Sequence, residues 1–150
     1  MHALKLQLIQ HLQRILESNE IAIKNALTLA KESRDGDTKS SAGDKYETGR
    51  AMMQIEIDKF ENQLQKTRVL QKELERINLD RTFNEAVMGS IVQTNTDFIF
   101  ISIGLGRIVL NGQNYITISQ ASPLGQAIYN KKKGEKFSLN GRENDILGIW

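Results

Sequence analysis

The sequence contains no cysteine, which excludes disulfides and thiolate chemistry and suits a reducing compartment. It has only two histidines, His2 and His11, and neither has a ligand-type neighbour at metal-binding spacing, so no zinc site is expected. No long hydrophobic run is present. The opening stretch "MHALKLQLIQHLQ" is broken by polar residues, so neither a signal peptide nor a membrane span is expected, and a cytoplasmic protein is. Charge of one sign is also missing. Lys and Arg number 20 against 18 Asp and Glu, giving a net charge of +2. Residues 1–78 hold 13 basic against 12 acidic residues, and residues 82–150 hold 6 against 5, so neither part reads as a basic nucleic-acid module.

What is present falls into two halves with different periods. Residues 3–33 carry apolar side chains at Leu8, Leu12, Ile15, Leu16, Ile23, Ala26, Leu27 and Ala30, with no Pro or Gly between them. Steps of three and four are the helical signature. Gly36 then offers a stop, because glycine takes the left-handed conformation that ends many helices. A second run from near Asp44 to about Ile77 repeats the stripe at Met53, Ile57, Phe60, Leu64, Leu70, Leu74 and Ile77. Two matching stripes around a short polar turn predict an antiparallel helical hairpin over residues 1–80, a coiled coil with its turn near 35–43. At 1.5 Å per residue, helices of this size extend roughly 45–50 Å.

After about residue 80 the pattern turns strand-like. "SIVQT", "FIFISI", "RIVL", "YITISQ", "EKFSL" and "DILGIW" are rich in β-branched and aromatic residues and are bounded by "TNTD", "GLG" and "NGQN" turns. One short helix is expected in "SPLGQAIYN", with Ser122 as N-cap and Pro123, the chain's single proline, in the first helical position. The fold class is therefore α+β: the helical hairpin, then a small antiparallel sheet domain with one short helix over residues 81–150.

The segment "ISQASPLGQAIYNKKKGEKFSL" carries a family likeness. It resembles the C-terminal domain of the Gre transcription factors, in which a strand leads into Ser-Pro-Leu-Gly, a short helix, a Lys-Lys turn with a Gly-acid pair, and another strand. Ser122, Pro123, Leu124 and Gly125 match the tetrapeptide, while Lys131, Lys132, Gly134 and Glu135 match the turn. "GSIV" at 89–92 resembles the start of that domain. The resemblance implies an FKBP-like sheet domain that docks on RNA polymerase through the region of Ser122–Gly125, and a hairpin that enters the polymerase's secondary channel. It further implies an accessory factor rather than an enzyme, acting as a monomer, in indirect contact with nascent RNA and with no specific DNA partner. An acidic hairpin tip would hold a second Mg²⁺ shared with the polymerase, which then cleaves its own backtracked transcript.

"RDGDTKSSAGDKYETGR", residues 34–50, supplies the tip. Gly43, Asp44 and Glu47 reproduce the family's Gly-Asp-x-x-Glu spacing, so the resemblance makes Asp44 and Glu47 the catalytic and metal-holding residues. The free protein is expected to bind no cofactor tightly, since Mg²⁺ keeps its waters and two exposed carboxylates replace few of them. The same two residues also fit a capping box, with Ser41 and Asp44 as a second pairing one turn earlier. Asp35 and Asp37 read first as turn residues. "TGR" stands where the family continues Asn-Ala-Glu-Tyr, with Gly49 in the first helical turn and Tyr46 between the two acids. A non-cleaving secondary-channel regulator is the alternative that this departure admits. A peptidyl-prolyl isomerase is a third reading. It requires an aromatic-lined pocket, and residues 82–150 contain seven aromatics.

Other features have plainer readings. Lys131–Lys133 form a solvated turn, and Arg68, Lys72 and Arg76 form a solvated helix face. Met52 and Met53 belong to hairpin packing, and Phe98 and Phe100 lie on one face of a strand.

Overall fold

The computed structural model describes residues 1–36 and 43–150, with backbone only for residues 43–46. The chain is α+β. Its elements run α1 (His2–Gly36), α2 (Gly43–Glu75), β1 (Ile91–Thr94), β2 (Phe98–Ile101), β3 (Gly106–Leu110), β4 (Gln113–Ile118), α3 (Pro123–Ile128), β5 (Lys136–Leu139) and β6 (Arg142–Ile149). They form two compact units, one of Arg14–Gln71 and the other of Met1–Gln13 with Lys72–Trp150.

The helical unit is held by a single seam. Leu16, Ala30, Ile57 and Leu64 are buried along it. Thr67 is buried there too, its hydroxyl donating back to the carbonyl of Gln63 at 3.0 Å, which satisfies a polar group inside the stripe. Cross-helix pairs fix the direction. Arg34 meets Gln54 at 2.7 Å, Lys31 meets Glu61 at 3.3 Å, and Glu20 meets Arg68 at 3.7 Å and Gln71 at 3.0 Å. One partner's number rises as the other's falls, so the helices are antiparallel. Exposed ion pairs of this kind contribute about 0–1 kcal/mol each, so the apolar seam carries most of the stability. Met52, expected in that seam, is exposed, and Met53 is half-buried. Gly36 is the last described residue of α1 and is not left-handed; the residues just after it, where the expected helix stop would be completed, lie outside the described residues. The expected turn residues 37–42, Asp37 and Ser41 among them, lie outside the described residues.

In the other unit six strands form one sheet in the order β3-β4-β2-β1-β6-β5. All neighbours are antiparallel except β2 and β4, which run parallel with Ile99 beside Ile116 and Ile101 beside Ile118. Two hairpins close through Asn111-Gly112 (φ 53° and 77°) and Asn140-Gly141 (φ 51° and 76°). Two successive positive φ values give the turn whose twist matches the strands it joins, which is why Asn-Gly stands at both. The core gathers Ala86, Val92, Ile99, Ile101, Ile118, Ile128, Phe137 and Ile146, with Leu124 and Ala127 of α3 packed against it. Phe100, on the opposite face of β2 from Ile99 and Ile101, is also fully buried, so β2 is covered on both faces. Phe98 is half-buried, its ring 5.9 Å from that of Tyr115. The segment after α2 is fitted closely: a Cβ on Gly89 (φ 90°) would meet Ile77 at 3.1 Å and Phe83 at 3.2 Å.

Candidate functional site

The Ser122–Gly125 tetrapeptide follows β4, which ends at Ile118, and begins α3. Ser122 has extended backbone (φ −66°, ψ 158°), and its hydroxyl accepts from the Gly125 N–H at 3.0 Å while donating to the Ser119 carbonyl at 2.8 Å. Both roles of the hydroxyl are thus filled, as expected of an N-cap. Pro123 follows where no donor is needed. Gly125 is buried, and a Cβ there would lie 2.3 Å from the Ser119 carbonyl oxygen and 2.7 Å from that of Gln120. Backbone proximity, not a positive φ, demands glycine. Leu124 packs on the core, which leaves Pro123 as the exposed member of the four.

The basic turn after α3 is pinned from several sides. The Asn130 N–H donates to the Ala86 carbonyl at 3.0 Å, the Ala86 N–H to Lys131 at 2.8 Å, and the Gly134 N–H to Ile146 at 2.8 Å. Glu135 turns its carboxylate back to accept from the Lys132 N–H. Gly134 (φ 89°) provides the reversal that brings the acid there. The matched Gly-acid pair therefore builds the turn, while the side chains of Lys132 and Lys133 remain exposed. Sequence reasoning missed Gln120, whose side-chain oxygen accepts from the Met88 N–H at 3.1 Å and ties the approach to α3 to the segment before β1. A glutamine two residues before a serine cap carries no pattern that would have flagged it.

The acidic tip belongs to the helical unit. α2 begins at Gly43, so Asp44 and Glu47 are its second and fifth residues, three apart and separated by less than one turn. The Glu47 side chain is exposed; that of Asp44 lies outside the described residues. With the helix starting at Gly43, Asp44 is already a helical residue rather than its cap. Asp35, expected in a turn, lies in the last turn of α1 and pairs with Arg34 at 2.9 Å. The hydrogen bond from Arg34, its charge, and the charges of Arg50 and Lys31 hold the Asp35 carboxyl below its usual pKa. Arg34 also reaches Gln54, which donates to Asp58 at 2.8 Å, so this end of the unit is cross-linked by polar groups. Among the described residues no group of three or more His, Cys, Asp or Glu is gathered to hold a metal ion.

The chain is similar to solved structures of Gfh1. The crystal structure of GreA factor homolog 1 (Gfh1) of Thermus thermophilus matches with a TM-score of 0.37 and 20% identity over 91% of this chain and 93% of that one. A second structure of the transcription factor Gfh1 matches with a TM-score of 0.34 and 16% identity over 94% and 92%. At these scores neither likeness extends to function. No family model matches the chain, and none of the curated proteins searched does.

Arg68, Lys72 and Arg76 are all exposed, and Arg68 is paired with Glu20. The Glu20 carboxyl is held below its usual pKa, first by hydrogen bonds from Gln71 and Lys24 and then by the charges of Lys24 and Arg68. No helix among the described residues is long and apolar enough to cross a membrane.

Proposed function

We propose that this protein is a Gre-like accessory factor of RNA polymerase that stimulates cleavage of backtracked transcripts. The observation that carries the reading is the coincidence of two motifs with local structures that suit their use. Ser122-Pro123-Leu124-Gly125 and the Lys-Lys-x-Gly-Glu turn form one pinned loop that leaves Pro123, Lys132 and Lys133 in solvent. The Asp44/Glu47 pair opens the second of two antiparallel helices.

In this reading the sheet unit provides the docking surface and the helical unit enters the secondary channel. Asp44 and Glu47 would be this chain's ligands to a Mg²⁺ shared with the polymerase, which supplies charge neutralisation for phosphodiester hydrolysis. What the chain itself contributes is placement. Asp44 and Glu47 stand three residues apart on the backbone of one helix, and the seam between α1 and α2 would hold that helix in place. The catalytic machinery is the polymerase's, so the factor alone has no nuclease activity. In this reading the factor is a soluble, cytoplasmic monomer that meets RNA only through the polymerase.

The test is addition of the protein to a stalled, backtracked elongation complex carrying end-labelled RNA, with and without Mg²⁺. The transcript shortens only when polymerase, factor and metal are all present. "TGR" after Glu47, with Gly49 half-buried in the first turns of α2, favours a second reading, a channel regulator that binds without cleavage. Binding with unchanged RNA length would select it. Catalysis of prolyl isomerisation fits less well: the cavity beside the approach to α3, lined by Arg76, Met88, Ser102, Ser119 and Gln120 among others, has no aromatic wall, and the cavity that holds Phe83 and Trp150 is also lined by the charged Lys5, Asp80 and Arg81.

A further inference from the structure

Lys5 is 3% exposed, yet no carboxylate among the described residues pairs with it. An ammonium group has three donors and is costly to bury, by several kcal/mol unless it is compensated. Its neighbours compensate poorly. The Arg81 carbonyl stands 3.4 Å from Lys5 Nζ, a long contact, and the Phe83 ring centroid lies 4.1 Å away. A second cation, the Arg81 guanidinium, sits 5.1 Å from the same ring. Among the described residues lining the same cavity, the acidic side chain is Asp80, and it lies 3.5 Å from His2 Nδ1. Two positive groups therefore flank one aromatic ring with no negative partner of their own, and burial lowers the Lys5 pKa accordingly.

These groups line a cavity of about 270 Å³ that opens to solvent. Its size suits a small ligand. Leu79, Phe83, Ile149 and Trp150 give it apolar walls, and Lys5 and Arg81 line it together with His2 and Asp80, which lie against each other. An oxyanion seated there would accept charge-assisted hydrogen bonds from the ammonium and the guanidinium together, and would remove the uncompensated charge. Free phosphate or sulfate would match the donors but leave the apolar walls bare. A neutral apolar molecule would do the reverse.

We propose that the cavity around Lys5, Arg81 and Phe83 binds a small carboxylate with an apolar body. The site is independent of the acidic tip and of the Ser122–Gly125 loop, and it stands whether or not the protein acts on RNA polymerase.

The test is a ¹H–¹⁵N NMR titration of the full chain with 3-phenylpropionate, run beside 3-phenylpropan-1-ol and inorganic phosphate. The acid is expected to give saturable shifts at Lys5, Arg81 and Phe83, with the alcohol and phosphate at least tenfold weaker. Lys5→Met keeps the length and apolar stem of the side chain and should weaken binding of the acid at least tenfold. Arg81→Gln alters an exposed side chain, should weaken it severalfold, and serves as the test if the Lys5 variant fails to fold. Four results overturn the proposal: no saturable shift with the acid, equal affinity for acid and alcohol, equal affinity for acid and phosphate, or unchanged acid binding in a folded Lys5→Met or Arg81→Gln variant.

Discussion

Gly125→Ala isolates what the Ser-Pro-Leu-Gly loop does for the fold. The added methyl would stand 2.3 Å from the Ser119 carbonyl oxygen and 2.7 Å from that of Gln120, where ordinary carbon–oxygen contacts need roughly another ångström. Neither atom is the free end of a side chain. The Ser119 oxygen also accepts from the Ser122 N–H at 3.1 Å and from its hydroxyl at 2.8 Å, so displacing it strains the cap of α3 as well. Overpacking in a fitted site costs about 1–3 kcal/mol, and a lost cap adds about 1 kcal/mol. The sum, about 2–4 kcal/mol, is a large share of the 5–15 kcal/mol typical of a domain. Urea unfolding followed by the fluorescence of Trp150, the single tryptophan and part of the same unit, would measure it. Ser122→Ala should cost about 1 kcal/mol on the same scale, and Ser122→Gly a few tenths. A Gly125→Ala chain within about 0.5 kcal/mol of the parent would refute the reasoning, because the loop would then have room that the geometry denies it.

Replacing Pro123 by Asp changes an exposed ring, so polymerase affinity should fall while the stability measured in urea stays within about 0.5 kcal/mol of the parent; a pull-down beside the unfolding curve checks both. Gly134→Ala forces φ 89° on an alanine with nothing nearby to clash, so backbone strain alone should cost about 1–2 kcal/mol. Lys5→Met should raise the unfolding free energy measured in urea at neutral pH by about 1–2 kcal/mol, since the relief of burying a charge exceeds the loss of its contact with Phe83. The sign with pH follows from the lowered Lys5 pKa: the penalty is full below the folded pKa and fades as pH rises toward the ordinary value of 10.5, so the variant's advantage should shrink there. Glu20 has the opposite sense. Its lowered pKa means that its stabilising contribution is complete above the ordinary value of 4.5 and is lost as pH falls through the folded pKa, so Glu20→Gln should matter at pH 7 and not at pH 2.

Much of this architecture is legible in the residues because it is local. The steps from Leu12 to Leu16 and from Ile57 to Leu64 place each of these side chains on one helix face, and all four are buried. The strands fall where β-branched runs lie between Asn-Gly and other turn signals, and Ser122 caps α3 as its position before Pro123 suggests. What the residues do not announce is non-local. Nothing in "FIFI" or "NYITI" says that β4 will run parallel to β2 rather than pair only with β3. Lys5 and Thr67 look like solvent-facing residues and are buried, one against Phe83 and the other through its own helix backbone. The requirement for Gly125 comes from two carbonyls five and six residues earlier, a closeness that exists only after β4 has turned into α3. The Asp44–Glu47 spacing was visible at once, and α2 adds that both residues are helical.

The most direct test of the account replaces Asp44 by Asn and Glu47 by Gln, which keeps the size of both side chains and removes their charge. Parent and variant are added to a backtracked elongation complex with labelled RNA and Mg²⁺. The account predicts that both bind, that helix content by circular dichroism is equal, and that only the parent shortens the transcript. A folded, bound variant that shortens the RNA as fast as the parent would contradict it.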